Sequence, residues 1–172
     1  MLILEKAWAK VYGNYQRIEA GLAGEAMYPL TGCPQYQFFH DDVRDIDRFW
    51  TRIITADKKG FPMCCCTFSS QDNDVTNAEV TAAGLQDSHA YTLIGAYNIV
   101  QDDLKEVRLL KVRNPYGMKE WQGDWGDNSK KWTVRCRNQV NGENKNDGIF
   151  FMTLADFMKF FTATTICCYL EN

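Results

Sequence analysis

The stretch SHAYTLIGAYNIVQDDLKEVRLLKVRNPYG, residues 88–117, decides the fold class. Ala90 to Val100 and Val107 to Arg113 are rich in Tyr, Ile, Val and Leu, residue types that suit a pleated, half-buried surface. The charged turn Gln101-Asp102-Asp103 lies between them, so the two segments are expected to pair as an antiparallel hairpin. Asn114-Pro115-Tyr116-Gly117 then breaks the second strand, because proline has no N–H to give a ladder and glycine favours turns. In such a hairpin the start of one strand lies beside the end of the other, which brings His89 and Asn114 to one sheet edge. A histidine whose ring N–H is held by an asparagine has a fixed tautomer and orientation, as a general base or a thiolate partner requires. Spacing alone leaves a second reading open, in which His89 is an ordinary surface histidine.

Outward from the hairpin the periodicity changes. Leu4, Ala7, Trp8, Val11, Tyr12, Tyr15 and Ile18 fall on a stripe of about 3.6-residue spacing, which predicts a helix from about residue 3 to 20 with Gly21 as its stop. Val43, Ile46, Phe49, Trp50, Ile53 and Ile54 predict a second helix, capped by Asp41 or Asp42 and ended by Lys58-Lys59-Gly60. Pro29 to Phe39 is expected to be the loop between them. Met63 to Phe68 suits a buried strand, and the polar segment Gln71 to Asp87 a long exposed loop. Residues 118–147 predict irregular structure pinned by Trp121, Trp125 and Trp132. Ile149 to Met152 predicts a strand. Thr153-Leu154-Ala155-Asp156 has the spacing of a capping box before a short helix carrying Phe157, Met158, Phe160 and Phe161, and Thr164 to Leu170 closes as a strand. This order implies an α+β domain built on an antiparallel sheet.

Composition narrows the function classes. The chain has 172 residues, 45% hydrophobic and 24% charged, which fits one folded domain. No apolar run approaches the roughly 18–20 residues that span a bilayer, so no transmembrane segment is expected. Met1 to Lys6 lacks the basic and apolar regions of a signal peptide, and the expected location is cytoplasmic. A net charge of −3 argues against phosphate-backbone binding, so no nucleic-acid partner is expected. The seven cysteines fall as Cys33, Cys64-Cys65-Cys66, Cys136 and Cys167-Cys168, with no C-x-x-C pair, and His40 and His89 complete no zinc spacing. They are expected to be reduced thiols.

His89-Ala90-Tyr91, then Arg113-Asn114-Pro115-Tyr116-Gly117, then Glu120-Trp121-x-Gly123-x-Trp125-x-Asp127 resemble the calpain family of cysteine proteases. The resemblance extends to Leu4-Glu5-Lys6-Ala7-Trp8-Ala9-Lys10 with Gly13-x-Tyr15, to Glu25-Ala26 through Leu30-Thr31-Gly32, and to Asp147-Gly148-x-Phe150, Asp156-Phe157 and Phe160-Phe161-Thr162 to Ile166-Cys167. It implies that residues 1–172 are the second, His/Asn-bearing subdomain of a papain-like cysteine protease core, an antiparallel β-sheet/barrel subdomain with flanking helices. The Cys-bearing first subdomain would be absent, and the start inside an amphipathic helix is expected of a piece of a longer protein.

By the same resemblance His89 would ionise the nucleophilic cysteine and later protonate the leaving amine, while Asn114 orients its imidazole. Tyr116 stands where most members have Trp, as the aromatic that shields the pair. Ser88 stands beside the substrate backbone where many have Gly. Glu120, Asp127 and Asp147 match calcium ligands, and Ile149 replaces an acidic residue of calcium-responsive members, which would weaken or abolish the site. No other cofactor is implied. The implied partners are a protein or peptide substrate and a Cys-bearing first subdomain, in cis or in trans. The family nucleophile lies in a Gly-Asp-Cys-Trp-like motif at a helix N-terminus, a setting that none of the seven cysteines has; Cys64 to Cys66 match a structural strand. The isolated chain is therefore expected to be inactive. The alternative is a non-catalytic calpain-like module that binds or regulates proteins. Ser88 and Ile149 favour it, and the intact His89–Asn114 pair favours the enzyme.

Overall fold

The structure, a computed structural model, describes residues 2–67 and 75–169. Among these residues six strands, β1 (Gln35–Phe39), β2 (Met63–Thr67), β3 (His89–Val100), β4 (Glu106–Arg113), β5 (Ile149–Thr153) and β6 (Ala163–Cys167), form one sheet in the order β1-β6-β2-β3-β4-β5. Every neighbouring pair is antiparallel. The helices are α1 (Leu2–Tyr12), α2 (Ala23–Thr31), α3 (Ile46–Lys58), α4 (Asn77–Ala82), α5 (Val134–Val140) and α6 (Leu154–Phe160). This is the α+β class the sequence predicts. Among the described residues no helix is long and apolar enough to cross a membrane.

Successive strand side chains point to opposite faces, and here both faces are covered. Leu110, Val112, Phe150 and Met152 join Phe49 and Ile53 of α3 and Phe157 of α6 in the larger core. Leu109 and Phe151 turn the other way, onto Trp125 and onto Cys136 and Val140 of α5. A fully buried side chain of this size contributes roughly 1.5–3 kcal/mol. In β3 the register slips between Leu93, opposite Val112, and Gly95, opposite Lys111, so Ile94 is an extra residue. The slip swaps faces: Tyr91 and Leu93 enter the larger core, whereas Ile99 enters the smaller.

Several elements depart from the sequence expectation. The first helix stops at Tyr12, because Gly13 takes φ +103; Asn14 then caps a single 3-10 turn, Tyr15–Ile18, by accepting the Arg17 N–H at 3.0 Å. Pro29 to Phe39 is not a loop. Pro29 lies inside α2, which ends on Gly32 at φ +68, and β1 follows by pairing with β6, a long-range partner that local propensity does not register. Asp45 caps α3, accepting the Arg48 N–H at 2.9 Å, while Asp41 and Asp42 sit in a separate 3-10 turn, His40–Asp42. Within Gln71 to Asp87, residues 71–74 lie outside the described residues, and α4 rises on a Thr76–Glu79 capping box. Residues 118–147 hold α5, capped by Thr133; the rest is pinned by tryptophan N–H groups, Trp121 to the Asp124 carbonyl at 2.8 Å and Trp132 to the Gly126 carbonyl at 3.0 Å. Thr153 caps α6 as its spacing predicts. The described part of the last strand ends at Cys167; Phe68 and Leu170 lie outside the described residues.

Candidate active site

His89 opens β3 opposite Thr67, the last residue of β2, and Asn114 follows the end of β4. Thr67 Oγ1 accepts the His89 N–H at 3.2 Å and donates to the Gln86 carbonyl at 2.7 Å, which fixes the chain entering the strand. Across the hairpin, His89 Nε2 lies 3.0 Å from Asn114 Oδ1. Asn114 is fully buried, at 0% exposure. Its amide is oriented from both ends: Nδ2 donates to the carbonyls of Met118 (2.6 Å) and Lys119 (3.2 Å), and Oδ1 accepts the Tyr116 N–H at 3.0 Å. Oδ1 is an acceptor only, so Nε2 carries the proton in the neutral ring and Nδ1 keeps its lone pair. Nδ1 has no hydrogen-bond partner among the described residues. A base needs this tautomer and a free nitrogen.

Two aromatic rings confine the imidazole. Tyr116 stacks on it, with centroids 4.5 Å apart and planes 28° apart, and Tyr91 meets it edge-on at 5.0 Å. Ser88, just before His89, is exposed and holds φ +48, a left-handed conformation that costs a side-chain-bearing residue energy. A groove of about 450 Å³ opens at His89, with Ser88 and Tyr116 on the sheet side and Trp8, Tyr12, Arg17 and Glu25 opposite. Lys119 Nζ donates to Gln86 Oε1 at 2.6 Å and so ties the loop behind Asn114 to the segment before His89. Thr67, Gln86 and Lys119 support the pair without any sequence signal of their own, since their roles depend on the β2–β3 register.

The three predicted calcium ligands lie in the loops behind Asn114. Glu120 Oε1 accepts the N–H groups of Asp147 (3.0 Å) and Gly148 (2.7 Å). Asp127 Oδ2 accepts the Lys145 N–H at 2.9 Å, and Asp147 Oδ1 accepts the Ile149 N–H at 3.0 Å. Burial, and secondarily the negative charge of Glu120, pushes the Asp127 carboxyl up to about 6. Among the described residues no three acidic, histidine or cysteine side chains converge as a metal ion needs. Calcium takes roughly six to eight oxygens. Here the carboxylates turn to main-chain donors instead, and the residues present do not fit a formed calcium cage.

All seven cysteines are free thiols. Burial pushes the Cys64 thiol up to about 11 and raises Cys65, Cys66 and Cys168 as well. A lowered pKa makes a thiol nucleophilic, and these four are shifted the opposite way.

Residues 1–168 match the family described as calpain family cysteine protease. The chain belongs to the calpain family. It is similar to human calpain-14, 33% identical over 167 residues, which is 96% of this chain and 23% of that protein. Rat calpain-13 is also 33% identical, over 168 residues, 96% of this chain and 24% of that calpain. The calpain-type cysteine protease DEK1 of Zea mays is 30% identical over 179 residues, 96% of this chain and 8% of that protein. The chain thus spans less than a quarter of each of these calpains.

Proposed function

We propose that this calpain-family chain is the His/Asn-bearing half of a thiol endopeptidase, with the nucleophilic cysteine supplied by a first subdomain in cis or in trans. The observation that carries the reading is the His89 Nε2–Asn114 Oδ1 bond, which leaves Nδ1 as the ring's free base. In the proposed reaction Nδ1 takes the thiol proton and the sulfur attacks the peptide carbonyl. As the C–N bond breaks, the imidazolium returns that proton to the leaving amine. His89 then draws a proton from water, whose oxygen attacks the acyl carbon and releases the acid and the thiol. Asn114 holds the ring through each of these proton transfers, and Tyr116 covers it. No step is assigned to calcium. The isolated chain is inactive in this reading, because the acyl-enzyme has no sulfur to form on.

Ser88 favours a second reading, a non-catalytic binding module, since an exposed side chain at φ +48 crowds the substrate side of His89. Peptidase kinetics on the chain combined with a Cys-bearing calpain first subdomain separate the two. The enzyme reading expects turnover of a fluorogenic peptide that His89→Ala lowers by roughly 10³-fold or more. Turnover unaffected by His89→Ala would sink it, and peptide binding without turnover would establish the module.

A further inference from the structure

Glu120 stands between the two segments that carry His89 and Asn114. On one side its Oε1 accepts the N–H groups of Asp147 and Gly148, at 3.0 and 2.7 Å. The Gly148 carbonyl in turn accepts the Asn114 N–H at 2.8 Å. Gly148, at φ +84, lies so close that a Cβ on it would stand 2.6 Å from the Asn114 carbonyl oxygen. On the other side, a Cβ on Gly84 would stand 2.2 Å from the Glu120 carbonyl oxygen, and the Gln122 N–H donates to the Ala83 carbonyl at 2.9 Å. The Glu120 backbone is therefore packed on the turn that leads through Leu85 and Gln86 to His89. Asn114 Nδ2 also reaches the carbonyl of Lys119, next to Glu120.

Glu120 is only 9% exposed. It makes no ion pair among the described residues, and its Oε1 accepts the main-chain N–H groups of Asp147 and Gly148. Charge-assisted bonds of this kind are about twice as strong as neutral ones. A carboxylate so placed tethers the 147–148 main chain beneath Asn114 without a bridging cation. We propose that Glu120 is a positioning residue for the His89–Asn114 pair: a metal-free latch that holds residues 147–148 under Asn114, at a position where the family resemblance implies a calcium ligand. The inference rests on the reading of His89 and Asn114 as the catalytic pair. Its consequence is that the pair is set without calcium.

The chain has two histidines, and their rings are distinguishable. His40 Nδ1 lies 2.6 Å from the Phe161 carbonyl and Nε2 lies 2.8 Å from Thr164 Oγ1, so its neutral ring carries the proton on Nδ1, opposite to His89. Nitrogen-15 NMR of the 172-residue chain at neutral pH reads both tautomers, with His40 as the internal control of folding. The latch expects a single Nε2–H form for His89 in the wild type, a mixed-tautomer ring in Glu120→Ala, and the wild-type form restored in Glu120→Gln, which keeps an acceptor oxygen. Calcium chloride added to about 10 mM, beyond the range of weak calcium modules, is expected to move neither ring. A fixed His89 in Glu120→Ala with His40 intact overturns the latch, as does a His89 shift on adding calcium. Should Glu120→Ala also lose the His40 pattern, Glu120→Asp decides: the shortened carboxylate is expected to free the His89 tautomer with His40 intact, and an unchanged His89 overturns the latch. Mixed tautomers already in the wild type would overturn the pair itself, and the latch with it.

Discussion

Tyr116 is joined to the His89–Asn114 pair twice, by its ring, stacked 4.5 Å from the imidazole, and by its N–H, donated to Asn114 Oδ1 at 3.0 Å. The two attachments are separable. Tyr116→Ala removes the ring and leaves the N–H, so the Asn114 amide keeps its orientation while water reaches the His89–Asn114 bond. Loss of a shielded hydrogen bond is worth about 1–1.5 kcal/mol, or roughly tenfold. In the complex with a Cys-bearing subdomain, kcat/KM is expected to fall by about that factor in Tyr116→Ala and to be retained in Tyr116→Trp. Tyr116 is 66% exposed, so stability should change little, which a urea titration checks.

Ser88 holds φ +48 for want of a glycine. The left-handed conformation costs an L-residue roughly 1–2 kcal/mol, part of which glycine returns through its looser unfolded state. Ser88→Gly is expected to stabilise the chain by about 0.5–1 kcal/mol, and Ser88→Val to destabilise it by more than 1 kcal/mol, read as shifts in the urea midpoint at constant slope.

His40 is buried between Phe49 and Phe157, and burial holds its pKa down to about 4 against an ordinary 6.5. The unfolded chain binds this proton more readily than the folded one. Stability from the neutral ring is therefore full above pH 6.5 and is lost as pH falls from 6.5 to about 4, below which the slope ends. The total is on the order of 3 kcal/mol. Unfolding free energies measured across this window should show that slope; a flat profile would contradict the assignment.

The thiols supply a further test. With Cys64 pushed up to about 11, and Cys65, Cys66 and Cys168 raised, these four are expected to react with iodoacetamide at pH 7 more slowly than free cysteine. Alkylation mapped by mass spectrometry checks each position. A rate above that of free cysteine at any of them would place an activated thiol within this chain.

The part of the fold legible in the sequence is the part set by local pattern: the β3–β4 hairpin, α6 with its Thr153 cap, and the meeting of His89 with Asn114. The misses share a cause. α4 and α5 are six and seven residues long, too short to print a stripe, although Thr76-x-x-Glu79 was there as a capping box. β1 and its partner β6 are far apart in sequence, and Gly13 ends α1 inside a stripe that continues past it. At the site, the family resemblance pointed to the acidic loops, but only the fold shows that Glu120 turns its carboxylate to the 147–148 main chain.

The extra residue Ile94 separates the hairpin into two lengths of chain with different freedom to change over generations. The turn at 101–105 lies beyond it, so residues gained or lost there leave the pairing of Thr92 with Arg113 and the approach of His89 to Asn114 as they are. Loss of Ile94, or a gain between His89 and Leu93, moves His89 by one step and carries its ring to the opposite side of the sheet. Length variation is neutral at one end of this hairpin and lethal to the pair at the other.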